Sequence, residues 1–143
     1  MKKIVVFICF IIIIVAIIAK IYLNYKMQYN VNKKENMNYE QYYNKEIYGN
    51  ELATIINKAF DNNNKNNVEL DNNKEYISND KNSVEINIYI LDNNTTYKME
   101  KIYNGGIKKF VENYGKIKFK CTKVEYHKDT KRVKSLLFKQ ITQ

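Results

Sequence analysis

Few residues in this chain are equipped for chemistry. The only histidine, His127, sits between Tyr126 and Lys128 in a polar stretch. Acid–base catalysis needs a positioned partner, and a metal site needs three or four ligands, so His127 is expected to be a solvated turn residue. Cys9 lies inside an apolar run and Cys121 on an alternating segment, so no disulfide is expected between them. Cys121 reads as a small buried hydrophobe rather than a reactive thiol. A Cys121–His127 dyad would require the chain to fold back sharply within six residues. Asp61, Glu69, Asp71, Glu75 and Asp80 could approach a calcium ion, but they lack the order and central glycine of an EF-hand loop. Asn93 and Asn94 both stand two residues before a threonine, the spacing of a glycosylation acceptor. With only four glycines, the chain has no phosphate-cradling loop. No catalytic, cofactor-binding or metal residues are assigned, no cofactor is expected, and the chain is not read as an enzyme.

Charge is the stronger chemical signal. The 143 residues include 23 lysines, 22 asparagines and 20 isoleucines, with one arginine and no proline or tryptophan. This bias toward residues with A/T-rich codons makes a solvated lysine face the ordinary reading of the net charge of +9. Its distribution is uneven, however. Residues 24–100 hold nine lysines against twelve acids, whereas residues 101–143 hold eleven lysines and Arg132 against three acids. Lys108, Lys109, Lys116, Lys118, Lys120, Lys128, Lys131 and Arg132 could therefore share one surface that attracts lipid head groups or an anionic wall polymer. Nucleic acid would answer to the same charge, but no recognition motif accompanies it, so it is not an expected partner.

The element that decides where such a surface sits comes first in the chain. Ile4 to Ala19 is an unbroken run of 16 apolar residues, flanked by Lys2, Lys3 and Lys20. As a helix it covers about 24 Å, and extension to Leu23 brings it to about 30 Å, the thickness of a bilayer core. Lys20 would then snorkel to the interface, where Tyr22 and Tyr25 lie in the aromatic belt. A cleaved secretory signal shares the charged start and apolar middle. The small-residue pair needed for cleavage is poor, because Ala19 is preceded at that spacing by Ile17 and Ala16 by Ile14. Residues 1–23 are therefore read as a transmembrane signal-anchor contacting lipid through residues 4–23. The very short head before the run favours export of the domain downstream, although Lys20, Lys26, Lys33 and Lys34 weaken the charge asymmetry. Residues 24–45, rich in Tyr, Asn and Lys, are expected to be a polar tether.

Residues 46–143 are expected to fold as a small α+β domain. Asn50 is the expected N-cap of a helix in which Leu52, Ile55, Ile56, Ala59 and Phe60 form one apolar face. Asp61 to Asn64 should stop it, since these residues favour turns. Val84 to Ile90 alternates apolar and polar residues, as on a half-buried strand. A shorter strand at Glu75–Ser78 is expected to pair with it. Met99–Asn104 and Ile107–Tyr114 have helical spacing around a break at Gly105–Gly106, and Gly115 is the expected C′ stop. Ile117 to Tyr126 alternates with a phase shift, which a β-bulge explains, and Arg132 to Ile141 is the returning strand. The expected architecture is an N-terminal transmembrane helix followed by α-β-β-α-β-β, with helices on one face of an antiparallel sheet.

In overall plan the chain resembles small membrane-anchored proteins of low-GC Gram-positive bacteria. Ile47-Tyr48-Gly49-Asn50-Glu51-Leu52, running directly into a helix, is also similar to segments of pilin-like and secretion-associated proteins. The chain lacks the glycine before the apolar run, and the glutamate shortly after it begins, that prepilin processing uses. The anchor, the tether and the missing catalytic set lead to the expectation of an extracytoplasmic α+β domain serving protein binding or assembly at the cell surface, with pilus- or secretion-like machinery as one setting. Two other readings come from the residues alone: a membrane-tethered hydrolase or thiol enzyme using Cys121 or His127, and a cytoplasm-facing basic domain touching membrane or nucleic acid.

Overall fold

The computed structural model describes residues 2–142. One long helix, α1 (Lys2–Glu40), carries the apolar run, and its side chains from Ile4 to Leu23 are exposed throughout. It is long and apolar enough to cross a membrane. The helix continues through much of the stretch expected to be a tether. The chain divides into two compact units, and the second begins at Glu35. Residues 35–45 join that unit because they carry groups it can bury. Tyr39 is buried in the core and its hydroxyl donates to the Lys58 carbonyl at 3.4 Å. The Asn36 amide donates to the Lys131 carbonyl at 2.8 Å and accepts from the Val133 N–H at 2.8 Å.

After α1 come β1 (Glu46–Tyr48), α2 (Gly49–Lys65), β2 (Glu85–Ile90), β3 (Thr95–Lys98), α3 (Met99–Asn104), α4 (Ile107–Tyr114), β4 (Lys118–Tyr126) and β5 (Val133–Gln140). The five strands form one sheet in the order β1-β4-β5-β2-β3. The α+β class and the apolar N-terminal helix are as expected. The element order and the purely antiparallel sheet are corrected: β2 and β5 run parallel, with Ile86 opposite Leu136 and Ile88 opposite Phe138. The expected strand at Glu75–Ser78 is absent, and only an isolated bridge joins Leu70 to Tyr76. Both sides of β2 are taken, one by β3 through the Asp92–Asn94 turn and the other by β5. Tyr76 serves the core instead, its ring meeting the Phe60 ring edge-on at 5.2 Å.

The hairpin of β4 and β5 and its bulge are found as expected. Register shifts between Cys121 and Lys123, which moves Val124 back toward the core side, opposite Leu136. Ile47, Ile86, Ile88, Ile90, Phe119, Leu136 and Phe138 then face the buried side of α2, where Leu52, Ile55, Ile56 and Ala59 are all but inaccessible. Each such side chain contributes about 1.5–3 kcal/mol relative to exposure. All the helices after β1 lie over this face, leaving the other face of the sheet open.

Both ends of α2 differ from expectation, and each for a tertiary reason. The helix starts at Gly49 rather than after an Asn50 cap. Here the chain is docked on the turn after α4: Gly49 N–H donates to the Ile117 carbonyl at 2.9 Å and Asn50 N–H to the Gly115 carbonyl at 3.2 Å. A Cβ at Gly49 would lie 2.0 Å from the Tyr114 carbonyl oxygen. At its other end α2 runs through Asp61–Asn64 to Lys65. Asparagine disfavours helices when its amide competes for nearby backbone. The Asn63 amide instead reaches Val84, donating to its carbonyl at 2.9 Å and accepting from its N–H at 2.8 Å. This fully buried side chain acts like a neighbouring strand to the residue that leads into β2. Gly115 keeps a right-handed conformation (φ −59°) rather than the left-handed stop expected of it.

Glu100, in the first turn of α3, is buried, and its Oε1 accepts the Tyr76 N–H at 3.4 Å. Burial pushes its carboxyl above the usual range. The folded state therefore favours the protonated form. Its stability falls as pH rises from the ordinary carboxyl range through the raised value. Glu100→Gln keeps the acceptor and removes the charge. Thermal melts are expected to show the variant more stable than the parent at pH 7, with the gap closing at pH 4.

Candidate anion-binding face

The register of the sheet fixes which side chains share its open face. One row crosses all five strands: Glu46 on β1, Lys120 on β4, Lys139 on β5, Tyr89 on β2 and Thr96 on β3. The next row runs Lys123, Leu137, Asn87, Lys98, and the one beyond it Glu125, Ser135, Glu85. Lys118, opposite Tyr48, lies on the other flank of the first row. The face is thus graded, with lysines Lys118, Lys120, Lys123 and Lys139 toward one end and Glu125 and Glu85 at the other.

Some of this charge is neutralised locally. Lys118 Nζ lies 3.4 Å from Glu46, Lys123 Nζ 2.5 Å from Glu125 and Lys98 Nζ 2.5 Å from Glu75. These exposed pairs contribute about 0–1 kcal/mol each. Hydrogen bonds from Lys123 and from the Ser135 hydroxyl hold the Glu125 carboxyl below its ordinary value. Lys120 and Lys139 stand directly opposite each other, an arrangement that repels across a strand pair. Lys139 is drawn toward the Tyr89 ring, 5.9 Å from its centroid. An anion bridging the two ammonium groups would relieve the repulsion.

The eight cations picked out by sequence do not form one surface. Lys118 and Lys120 are on the open face. Lys116 is in the turn before β4, Lys128 and Lys131 are in the β4–β5 turn, and Lys108 and Lys109 are on α4 in the helical layer. Arg132 is turned inward. Its side chain is 11% exposed, ion-paired with Glu35 and donating to Asn62 Oδ1 at 3.4 Å. Lys123 and Lys139, which complete the basic end, were missed. The phase of β4 past its bulge and the alternation of Lys139 with buried Phe138 point to them once the hairpin register is known.

His127 is corrected: it is buried, not solvated. Its Nε2 donates to the Ser83 carbonyl at 2.8 Å, and Nδ1 is buried with no partner among the described residues. The turn it occupies folds under the loop before β2, where Thr130 Oγ1 also donates to the Lys81 carbonyl at 2.7 Å. Cys121 is fully buried, with burial raising its thiol to about 11 and its Sγ 3.7 Å from the Lys123 carbonyl. Such a thiol is not ionised at neutral pH. Of the carboxylates weighed for calcium, Asp71 accepts the N–H groups of Asn73 and Glu75 in its own loop, and Glu75 holds Lys98. Among the described residues no three His, Cys, Asp or Glu side chains converge on a metal position.

Fold and face together define an α+β domain that comes after a long apolar helix and leaves a charge-graded sheet face uncovered. Comparison with protein-family models, with curated proteins and with solved structures finds no match.

Proposed function

We propose that the chain is a single-pass membrane protein whose α+β domain lies outside the cytoplasm and serves binding or assembly at the cell surface. The partner is a protein with an acidic patch, engaged through the basic end of the open sheet face. The Lys120–Lys139 pair carries this reading, because two like charges face each other across β4 and β5 and an anionic partner would bridge them. The exposed apolar helix supports the anchored state, since Ile4–Leu23 has no cover of its own.

Anchoring and topology are tested together. The full-length protein should resist carbonate and high salt and leave the membrane in detergent. A cysteine introduced as Asn72→Cys, at an exposed loop position, should react with an impermeant maleimide on intact cells. Labelling only after lysis would place the domain inside. For the face, Lys120→Glu with Lys139→Glu should lower capture of the surface partner at least tenfold without changing the thermal melt. Lys128→Glu, in the turn, should leave capture unchanged. Capture of purified wall polymer in place of protein would reassign the partner.

A further inference from the structure

A second site lies in the helical layer, on the opposite side of the sheet from the face just described. Gly105 and Gly106 join α3 to α4, and Gly106 adopts φ +100°, a conformation that side-chain-bearing residues rarely take. The resulting bend opens a cleft of about 370 Å³ between the two short helices and the end of the β2–β3 hairpin. Its size falls in the range of small-molecule sites. Ile90, Ile102 and Phe110 contribute apolar surface and Tyr97 an aromatic wall. Lys101 and Lys109 also line it, and no carboxylate does. Lys101 Nζ rests 5.0 Å from the centroid of the Tyr97 ring. Among the described residues neither lysine has an ion-pair partner, unlike Lys98, Lys118 and Lys123.

An apolar cleft with two unpaired cations and no anion complements one kind of ligand: a compact apolar body bearing a single negative charge. We propose that this cleft binds a small amphipathic carboxylate, an aromatic or short-chain acid. Its ring or chain lies against Ile90, Ile102 and Phe110, and its carboxylate reaches Lys101 and Lys109. A charge-assisted pair at the rim of an apolar cleft is stronger than the same pair in open water. The site is independent of the sheet face, so failure of either proposal leaves the other standing.

The four glycines supply the readout. Two, Gly105 and Gly106, line the cleft, whereas Gly49 lies at the start of α2. Full-length protein labelled with nitrogen-15 only at glycine, in maltoside micelles, is titrated with phenylpropionate and, separately, with the neutral phenylpropanol. Phenylpropionate is expected to move the Gly105 and Gly106 amide signals saturably. Lys101→Gln with Lys109→Gln should weaken that binding at least tenfold while leaving the response to phenylpropanol unchanged. A Gly49 signal at the parent's position in the ligand-free variant reports that the variant is folded. Equal affinity for acid and alcohol, equal affinity in parent and variant, or no saturable shift at Gly105 and Gly106 would each overturn the proposal.

Discussion

Asn63→Leu is expected to cost the domain about 3–5 kcal/mol, because it strands two buried backbone groups at once. Leucine keeps the branching at Cγ but is bulkier, so at this fully buried position some overpacking adds to the loss. What is lost is the pair of hydrogen bonds to the Val84 N–H and carbonyl. Each buried group left unmade costs about 1–3 kcal/mol. Chemical denaturation monitored by circular dichroism should show the midpoint falling steeply. Asn62→Ala is the comparison: Asn62 is only half-buried and donates to the Asn82 carbonyl at a longer 3.2 Å, so its loss should be well under half as costly. Similar losses at the two positions would mean that Asn63 does not act as a substitute strand.

The second large effect is expected at Gly49. Alanine there places a methyl carbon 2.0 Å from the Tyr114 carbonyl oxygen and 2.7 Å from its carbon. Neither side can yield cheaply. The start of α2 is fixed by hydrogen bonds to Ile117 and Gly115, and Gly115 is itself packed against the Val111 carbonyl. Gly49→Ala should therefore destabilise by about 3 kcal/mol or more, lowering Tm by more than about 10 °C for a domain of this size. A melt within about 2 °C of the parent would show that the α2–α4 junction is looser than its hydrogen bonds imply.

These two positions also mark where sequence reasoning stops. The apolar face of α2, the alternation of β2, the break at Gly105–Gly106 and the bulged hairpin of β4 and β5 were all legible. Each is written in the periodicity of residues a few positions apart. The Asn-rich end of α2 was not, because asparagine signals a turn through its local competition for backbone, and here that competition is won by Val84, distant in sequence. His127 misled for the same reason. A histidine among Lys, Asp and Thr looks solvated until the Ser83 loop is laid over it. The parallel pairing of β2 with β5 leaves no local trace, since either strand alone reads the same beside a parallel or an antiparallel neighbour. Of the candidate anion face, Lys118 and Lys120 were found from alternation, but Arg132 was counted by charge alone and proves to be paired with Glu35. Lys123 and Lys139 required the register.

The position of β5 has a consequence for how the molecule comes into being. The sheet consists of two pairs, β1 with β4 and β2 with β3, and only β5 joins them. Yet β5 comes after every other strand in the chain. A nascent chain on the ribosome can close the β2–β3 hairpin early, but its two strand pairs stay unjoined within the sheet until residues 133–140 have been made and inserted between them. Contacts of such long sequence separation slow folding, because loop entropy must be spent before they form. The arrival of the central strand makes one five-stranded sheet of the two pairs.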